Sequence, residues 1–291
     1  MRILLTGRNG QLGHELERAL VPLGEVVATG RAELDLSNLD AIGSAIERVR
    51  PDVIVNAAAY TAVDQAESER AAAFRVNAEA VGRIGEAAAR RGALVLHYST
   101  DYIFDGAKST PYTEEDPPHP LNVYGESKLA GERSLAASGC RHLILRTGWV
   151  YESRGRNFLL TILRLARERD ELRVVGDQVG SPTAARDLAD ASAKLLAMAE
   201  IPTGTWHLTA AGQCSWFEFA REILVLSGNT RSRLTQITTA EYPTAARRPR
   251  YSVLSCEKLK RACGIALPHW REALVRVLRE APGGPTETLQ S

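Results

Sequence analysis

The chain is poor in cysteine, nearly neutral and without a long apolar run, and each absence removes a class of function. Its four cysteines, Cys140, Cys214, Cys256 and Cys263, are scattered through 291 residues. They form no CxxC pair and no metal-ligand spacing, which argues against a disulfide framework or a zinc module and fits a thiol-reduced, cytoplasmic protein. Lys plus Arg number 36 against 35 Asp plus Glu, a formal charge of +1. The sustained basic field that nucleic-acid binding needs is therefore missing, although Arg247-Arg248-Pro249-Arg250 remains a local anion site. No apolar stretch approaches the roughly 18 to 20 residues of a membrane-spanning helix. Nor does an apolar leader precede the first apolar run, so no membrane partner is expected.

What is present is an alternation. Arg2–Thr6 is a short apolar run, followed by a glycine-rich turn and a helical pattern through Leu16, Leu20 and Leu23. The rhythm repeats with a strand at Val26–Ala28, a helix at Leu39–Val49 opened by Ser37 or Asn38, and a strand at Val53–Ala58 after Pro51. A long alanine-rich helix is expected over Ala71–Arg91, then a strand at Leu94–Ser99, a helix at Asn122–Ala137 and a strand at His142–Arg146. Strands joined by helical crossovers form a parallel sheet covered on both faces. The fold class is thus α/β, a Rossmann-type doubly wound sheet over residues 1–150.

Beyond Tyr151 the rhythm loosens. Helices are expected at Phe158–Arg169, Ala185–Ala199, Trp216–Leu226 and Trp270–Arg279, with short strands at Arg173–Val175 and Thr205–Leu208. Residues 151–280 read as a smaller, mainly substrate-binding region, some of whose segments return to the first sheet, and residues 281–291 as a frayed tail. There is no internal repeat and no low-complexity block.

Two motifs carry chemistry. Gly7, Gly10 and Gly13 form GxxGxxG between a strand and a helix, where small residues let backbone amides and a helix N-terminus approach a pyrophosphate. After the second strand, where an NAD site places an acid, the chain has Thr29-Gly30-Arg31. Arg31, with Arg8 in the glycine loop, suits a 2′-phosphate and so NADPH, with NADH as the alternative; otherwise both arginines are solvated surface residues. Asp35 and Leu36 fit an adenine-contacting turn, and Asn56-Ala57-Ala58-Ala59 ends a strand in small residues.

The second motif is Tyr124-Gly-Glu-Ser-Lys128, downstream of Ser99-Thr100-Asp101-Tyr102. Tyrosine four residues before lysine puts both side chains on one helical face. With pKa values near ~10 and ~10.4 in isolation, a phenol becomes a usable acid when an ammonium stabilises its phenolate. The alternatives are a tyrosine that caps a groove and a solvated lysine. His97, on the buried strand, reads as structural.

Taken together, TGRNGQLG (Thr6–Gly13), PDVIVNAAAYTAVDQAE (Pro51–Glu67), HYSTDYIFDG (His97–Gly106), PLNVYGESKLAGE (Pro120–Glu132), RTGWVY (Arg146–Tyr151), DQVGSPT (Asp177–Thr183) and RRPRYSVL (Arg247–Leu254) resemble the extended short-chain dehydrogenase/reductases. Within these, the chain is most similar to the dTDP-4-dehydrorhamnose reductase family. That resemblance implies an NADPH-dependent (or NADH-dependent) reduction of a dTDP-4-dehydro-6-deoxy sugar at C4. It implies Tyr124 as proton donor, Lys128 as the group that lowers the pKa of Tyr124 and binds the nicotinamide ribose, and Thr100 as hydrogen-bond partner of the substrate carbonyl. Gly10, Gln11, Leu12, Asp35, Leu36, Ala59, Tyr60 and Thr61 match cofactor-contacting positions, and Asp101 and Trp149 positions that touch the sugar nucleotide, unless Trp149 is core.

One departure concerns metal. Some relatives bridge subunits with Mg2+ held by acidic residues; Glu15 matches one such position, but Arg186 and His269 occupy the others. An arginine repels a hard cation, so no metal and, if a homodimer forms, no bridging Mg2+ are expected. Neighbouring chemistries also bear weighing. A 4,6-dehydratase would carry an acid where Tyr102 stands; a 4-epimerase, a related 4-keto reductase and a non-catalytic regulatory subunit are the other readings.

Overall fold

The computed structural model describes residues 1–282. Its first half is built from β1 (Arg2–Thr6), α1 (Gln11–Leu20), β2 (Glu25–Thr29), α2 (Leu39–Val49), β3 (Val53–Asn56), the short helices α3 (Val63–Ala66) and α4 (Arg70–Phe74), α5 (Ala80–Arg91), β4 (Leu94–Thr100), α6 (Val123–Ala137) and β5 (Arg141–Thr147). The second half runs through β6 (Val150–Tyr151), α7 (Phe158–Glu168), β7 (Glu171–Val175), β8 (Val179–Gly180), β9 (Thr183–Ala184), α8 (Ala185–Leu196), β10 (Gly204–His207), β11 (Cys214–Ser215), α9 (Trp216–Leu226), β12 (Arg233–Ile237), α10 (Glu257–Cys263) and α11 (Trp270–Glu280). Six strands pair in parallel in the order β10-β5-β4-β3-β1-β2.

The period of two along each strand sorts the core. Ile3, Leu5, Val53, Val55, Leu94, Leu96, Leu143 and Leu145 face one side and pack with Leu16 and Leu20 of α1 and Leu188 and Leu195 of α8. The intervening residues Leu4, Ile54, Val95 and Ile144 face the other side, against Ile42 and Ile46 of α2, Val81 and Ile84 of α5 and Leu135 of α6. Both faces are apolar and covered, as a parallel sheet requires. Each fully buried aliphatic side chain contributes about 1.5–3 kcal/mol. Strand β10 and helix α8, both from beyond residue 150, extend and cover this sheet. Helix α10 joins that side through Leu259, while α7, β7, α9 and α11 share a separate core of Leu159, Ile162, Leu172, Phe219, Ile223, Trp270 and Leu274.

Three expectations need correction. The long helix expected over Ala71–Arg91 is instead α4, a π-helical turn at Arg75–Glu79 and α5. The interruption turns Asn77 inward, where its Oδ1 accepts from Tyr60 N at 2.8 Å and its Nδ2 donates to Tyr60 O at 3.0 Å. Single π turns inserted in this way recur at functional sites. Strand β3 stops at Asn56, before the three alanines, because Ala57–Ala59 leave the ladder to flank the glycine loop. In the expected tail, Ala281 is buried against the C-terminal core; residues 283–291 lie outside the described residues.

Candidate active site

The strand order reverses between β1 and β3, so the loops that follow them diverge to opposite sides and leave a crevice at the carboxyl edge. A cavity of about 710 Å3 occupies it. One wall is the glycine loop. Gly7 has φ +80°, and a Cβ there would stand 2.6 Å from Ala58 N; one on Gly13 would overlap the Gly7 carbonyl oxygen. Only glycine lets this loop lie flat against the strand ends and close onto the start of α1.

Of the sequence-predicted cofactor residues, Gly7, Gly10, Gln11, Leu12, Gly13, Arg31, Asp35, Leu36, Ala59, Tyr60, Thr61, Tyr124 and Lys128 all line this cavity. Arg8 does not: its guanidinium turns to Glu17 at 3.4 Å. The Arg31 side chain is 85% exposed and pairs with Asp35 at 3.2 Å. The Asp35 carboxyl is held below its ordinary value, first by the Ser37 backbone N–H. Gln11 is engaged with the second half of the chain, its Oε1 accepting from Asn157 Nδ2 at 2.7 Å.

At the other end of the cavity, Asn122 Oδ1 accepts from Gly125 N at 2.8 Å and caps α6, which fixes the first turn carrying Tyr124. Gly125 and Gly131 let the helix approach the Tyr102 and Asn77 carbonyls, where a Cβ would clash. Lys128 is buried and donates to the Tyr98 carbonyl at 2.6 Å, with His97 Nε2 at 3.3 Å from its Nζ. Burial lowers Lys128 to about 8, against the pull of Glu132. Burial pushes the Tyr124 phenol up to about 12, eased by hydrogen bonding with Thr100 and reinforced by Asp101. In this geometry Lys128 Nζ is held toward β4, by the Tyr98 carbonyl and beside His97.

Thr100 ends β4 and Asp101 opens the turn after it, both just outside the cavity lining, Thr100 Oγ1 donating to Asp101 Oδ1 at 3.1 Å. Burial raises the Asp101 carboxyl to about 6 despite hydrogen bonds from Ser252 and Thr100. Trp149, also outside the lining, is not a simple core residue. It holds φ +51°, an uncommon conformation for a bulky side chain, and its indole stacks on Trp216 at 3.4 Å and 2° between planes. Phe158 flanks Trp216 at 4.5 Å, and Gly180 leaves the space the Trp149 ring fills. Tyr102 meets Tyr124 edge to face at 6.0 Å, and Arg248, paired with Asp64 at 2.7 Å, bears on Tyr102.

Sequence reasoning gave no role to Trp216, Asn77, Ser99 or Thr147; the last two belong to the cavity lining, and their buried hydroxyl oxygens have no partner among the described residues. A lone asparagine on an otherwise apolar helix face was the available signal for Asn77; Trp216 offered none beyond an ordinary helix start. Glu15 accepts from Arg18, Arg186 pairs with Glu280 at 2.7 Å, and His269 caps α11. Among the described residues no three His, Cys, Asp or Glu side chains cluster as metal ligands, and no helix is long and apolar enough to cross a membrane.

The sheet order, the glycine loop at its reversal and the Tyr-Lys spacing on the adjoining helix define the class, the extended short-chain dehydrogenase/reductases. The RmlD substrate binding domain model matches residues 1–282. A dTDP-4-dehydrorhamnose reductase of Burkholderia thailandensis is 50% identical over 96% of this chain and 99% of that protein. One of Escherichia coli K12 is 44% identical over 96% and 98%. The crystal structure of a dTDP-4-dehydrorhamnose reductase from Clostridium acetobutylicum superposes with TM-score 0.92 at 40% identity, covering 96% of this chain and 99% of that one. One from Bacillus anthracis, in complex with NADP, gives TM-score 0.92 at 38% identity with the same coverages. The chain belongs to the dTDP-4-dehydrorhamnose reductase family, a family of NAD(P)-dependent oxidoreductases.

Proposed function

We propose that this protein reduces the C4 keto group of dTDP-4-dehydro-6-deoxy-L-mannose (dTDP-4-dehydro-L-rhamnose) to dTDP-L-rhamnose, using NADPH or NADH. The observation that carries this reading is that Tyr124 and Lys128 line one end of a cavity whose other end is the glycine loop, with Thr100 beside Tyr124 just behind that lining. The residues fit a dinucleotide: Gly7 and Gly13 let the loop close against the strand ends and onto the start of α1 beside the cavity, and Ser99 and Thr147, whose buried hydroxyls have no partner among the described residues, belong to the same lining. When bound, the reduced nicotinamide supplies the hydride.

The chain's own groups handle the proton. A phenol raised to about 12 is fully protonated at neutral pH, so Tyr124 holds the proton needed by the oxygen that becomes an alkoxide. Thr100, beside it, hydrogen-bonds that oxygen as charge develops. Lys128, one helical turn on, is placed to stabilise the phenolate left behind. Asp101 and the Trp149 shelf on Trp216 hold the sugar nucleotide. Tyr102 stands where a dehydratase would keep an acid, and burial raises its phenol further, which supports reduction over dehydration.

Purified protein should consume NADPH only when the keto sugar is added; failure to do so while NADPH binds would remove this reading. Arg31 lines the adenosine end and is free to swing toward a 2′-phosphate, while the Glu33 carboxylate accepts from Gly30 N at 2.8 Å at the same strand end, which supports NADH as a second donor. Arg31→Ala is therefore expected to lower kcat/KM for NADPH about tenfold while leaving NADH nearly unchanged, a charged hydrogen bond being about 1.5–3 kcal/mol. Equal losses with both donors would show that Arg31 does not read the phosphate. Trp216→Ala, which removes the support beneath Trp149, should raise KM for the sugar nucleotide about tenfold with a smaller change in kcat, since such a stack contributes about 0.5–1.5 kcal/mol beyond its area. An unchanged KM would return this aromatic pair to a packing role.

A further inference from the structure

At the carboxyl ends of β1 and β3 and the middle of β4, Thr6, Asn56 and His97 stand in one row, Thr6 in register with Asn56 and Asn56 with His97. Their side chains form a continuous ladder. Thr6 Oγ1 donates to Asn56 Oδ1 at 2.6 Å, Asn56 Nδ2 meets His97 Nδ1 at 3.0 Å, and His97 Nε2 lies 3.3 Å from Lys128 Nζ. None of the four side chains belongs to a residue more than 3% exposed. Packing alone does not call for such a row. Two residues back on the same strands and the same face, the equivalent positions are Leu4, Ile54 and Val95. Polar groups buried in this way cost free energy unless every member is bonded. Here the chain of bonds closes only by ending on the lysine.

We propose that His97, held by the Thr6–Asn56 row, is a positioning residue that fixes Lys128 Nζ and biases its charge through Nε2, and thereby tunes proton delivery by Tyr124. This inference rests on the reductase reading above. Asn56 offers a donor to Nδ1, so Nδ1 accepts and the proton of the neutral ring sits on Nε2, aimed at Lys128. Burial and the neighbouring lysine keep the ring neutral. An N–H donor facing an amine favours its lone pair, that is, the neutral form.

The other groups around Lys128 are few. Glu132, one turn further along α6, favours the ammonium and is itself paired with Arg146 of β5 at 2.7 Å, with His207 of β10 beyond that arginine. Tyr124 lies one turn back, and Asp101 bears on Tyr124 from the end of β4. From the π-helical turn the neutral Asn77 reaches Ser127, while Arg75 and Glu79 pair with each other at the surface. His97 is thus the neighbour whose hydrogen bonding opposes Glu132 in setting the lysine's charge.

The chain has only five lysines, at positions 108, 128, 194, 258 and 260, so Lys128 can be followed directly. Lysine labelled with 13C at Cε, assigned with Lys128→Arg, gives its titration midpoint in the cofactor-free protein by NMR. His97→Asn keeps the bond toward Asn56 and cannot reach Lys128, whereas His97→Gln places an amide N–H near the former Nε2. His97→Asn is expected to move the Lys128 midpoint up by about one unit and, because Nζ loses the contact that fixes its place, to lower kcat about tenfold. The melting temperature and the NADPH dissociation constant should change little, and His97→Gln should restore both the midpoint and kcat. An unmoved midpoint, or equal impairment of both variants in step with a falling melting temperature, would overturn the proposal and leave His97 a core residue. The NMR midpoint does not require turnover. A wild-type protein inactive on the keto sugar whose midpoint still responds to His97→Asn would therefore sink the reductase reading, and not the hold of His97 on Lys128.

Discussion

Replacing Tyr124 with Phe is expected to lower kcat for the keto sugar by about a hundredfold to ten-thousandfold, the range that a positioned general acid contributes. The substitution deletes one hydroxyl and leaves the ring, its edge contact with Tyr102 at 6.0 Å and the Asn122 cap of the helix in place. NADPH affinity should therefore hold, because the glycine loop and Lys128 are untouched. The Thr100 hydroxyl beside it cannot stand in, because an aliphatic alcohol is a far weaker acid than a phenol and can hydrogen-bond the developing oxyanion without giving up its proton. Single-turnover kinetics together with an NADPH binding isotherm measure the two quantities separately. Near-wild-type turnover in Tyr124→Phe would assign the acid elsewhere; matching losses of turnover and NADPH affinity would make the tyrosine a cofactor-binding group instead.

The largest expected effect on stability comes from Glu132→Gln. Glu132 and Arg146 meet at 2.7–3.2 Å through three contacts, with side chains 6% and 7% exposed. Removing the carboxylate charge leaves a guanidinium in the interior. His207, at 3.5 Å, offers no counter-charge, since an imidazole is neutral or cationic; burial and Arg146 hold this one neutral, with a pKa of about 3. Breaking such a pair costs about 3–5 kcal/mol, a large share of the roughly 5–15 kcal/mol that holds a domain folded. Denaturant melts of Glu132→Gln, and of the double variant Glu132→Gln with Arg146→Met, check this. The double variant should recover much of the loss, because the penalty lies in the stranded charge. A cost within about 1 kcal/mol, the usual value of an exposed pair, would contradict it.

Much of the framework was legible because it follows from local rules. Unbroken apolar runs such as Leu94–Leu96 marked strands covered on both faces, and their alternation with helical periods gave a parallel sheet. The glycine loop was legible because its spacing answers to steric demands that only glycine meets, at Gly7 and Gly13 above all. What escaped depends on contacts between distant segments. The π turn at Arg75–Glu79 continues a helical pattern without a breaker; it is set by Asn77 reaching Tyr60 and Ser127. The Trp149–Trp216 stack joins residues 67 positions apart, and nothing near Trp216 announces its partner. Arg8 has the right charge and place in the chain, yet Glu17 of α1 captures it. Spacing showed that Tyr124 and Lys128 share a face, but not that the lysine's charge is directed toward β4, which only the packed sheet decides.

The most direct test of the central claim is to supply NADPH deuterated at the transferred hydrogen with dTDP-4-dehydro-L-rhamnose, and to locate the deuterium in the product by NMR. The expected result is one deuterium at C4 of dTDP-L-rhamnose, with loss of signal in Tyr124→Phe. A product epimeric at C4, deuterium at another carbon, or NADPH that binds without yielding product would contradict it.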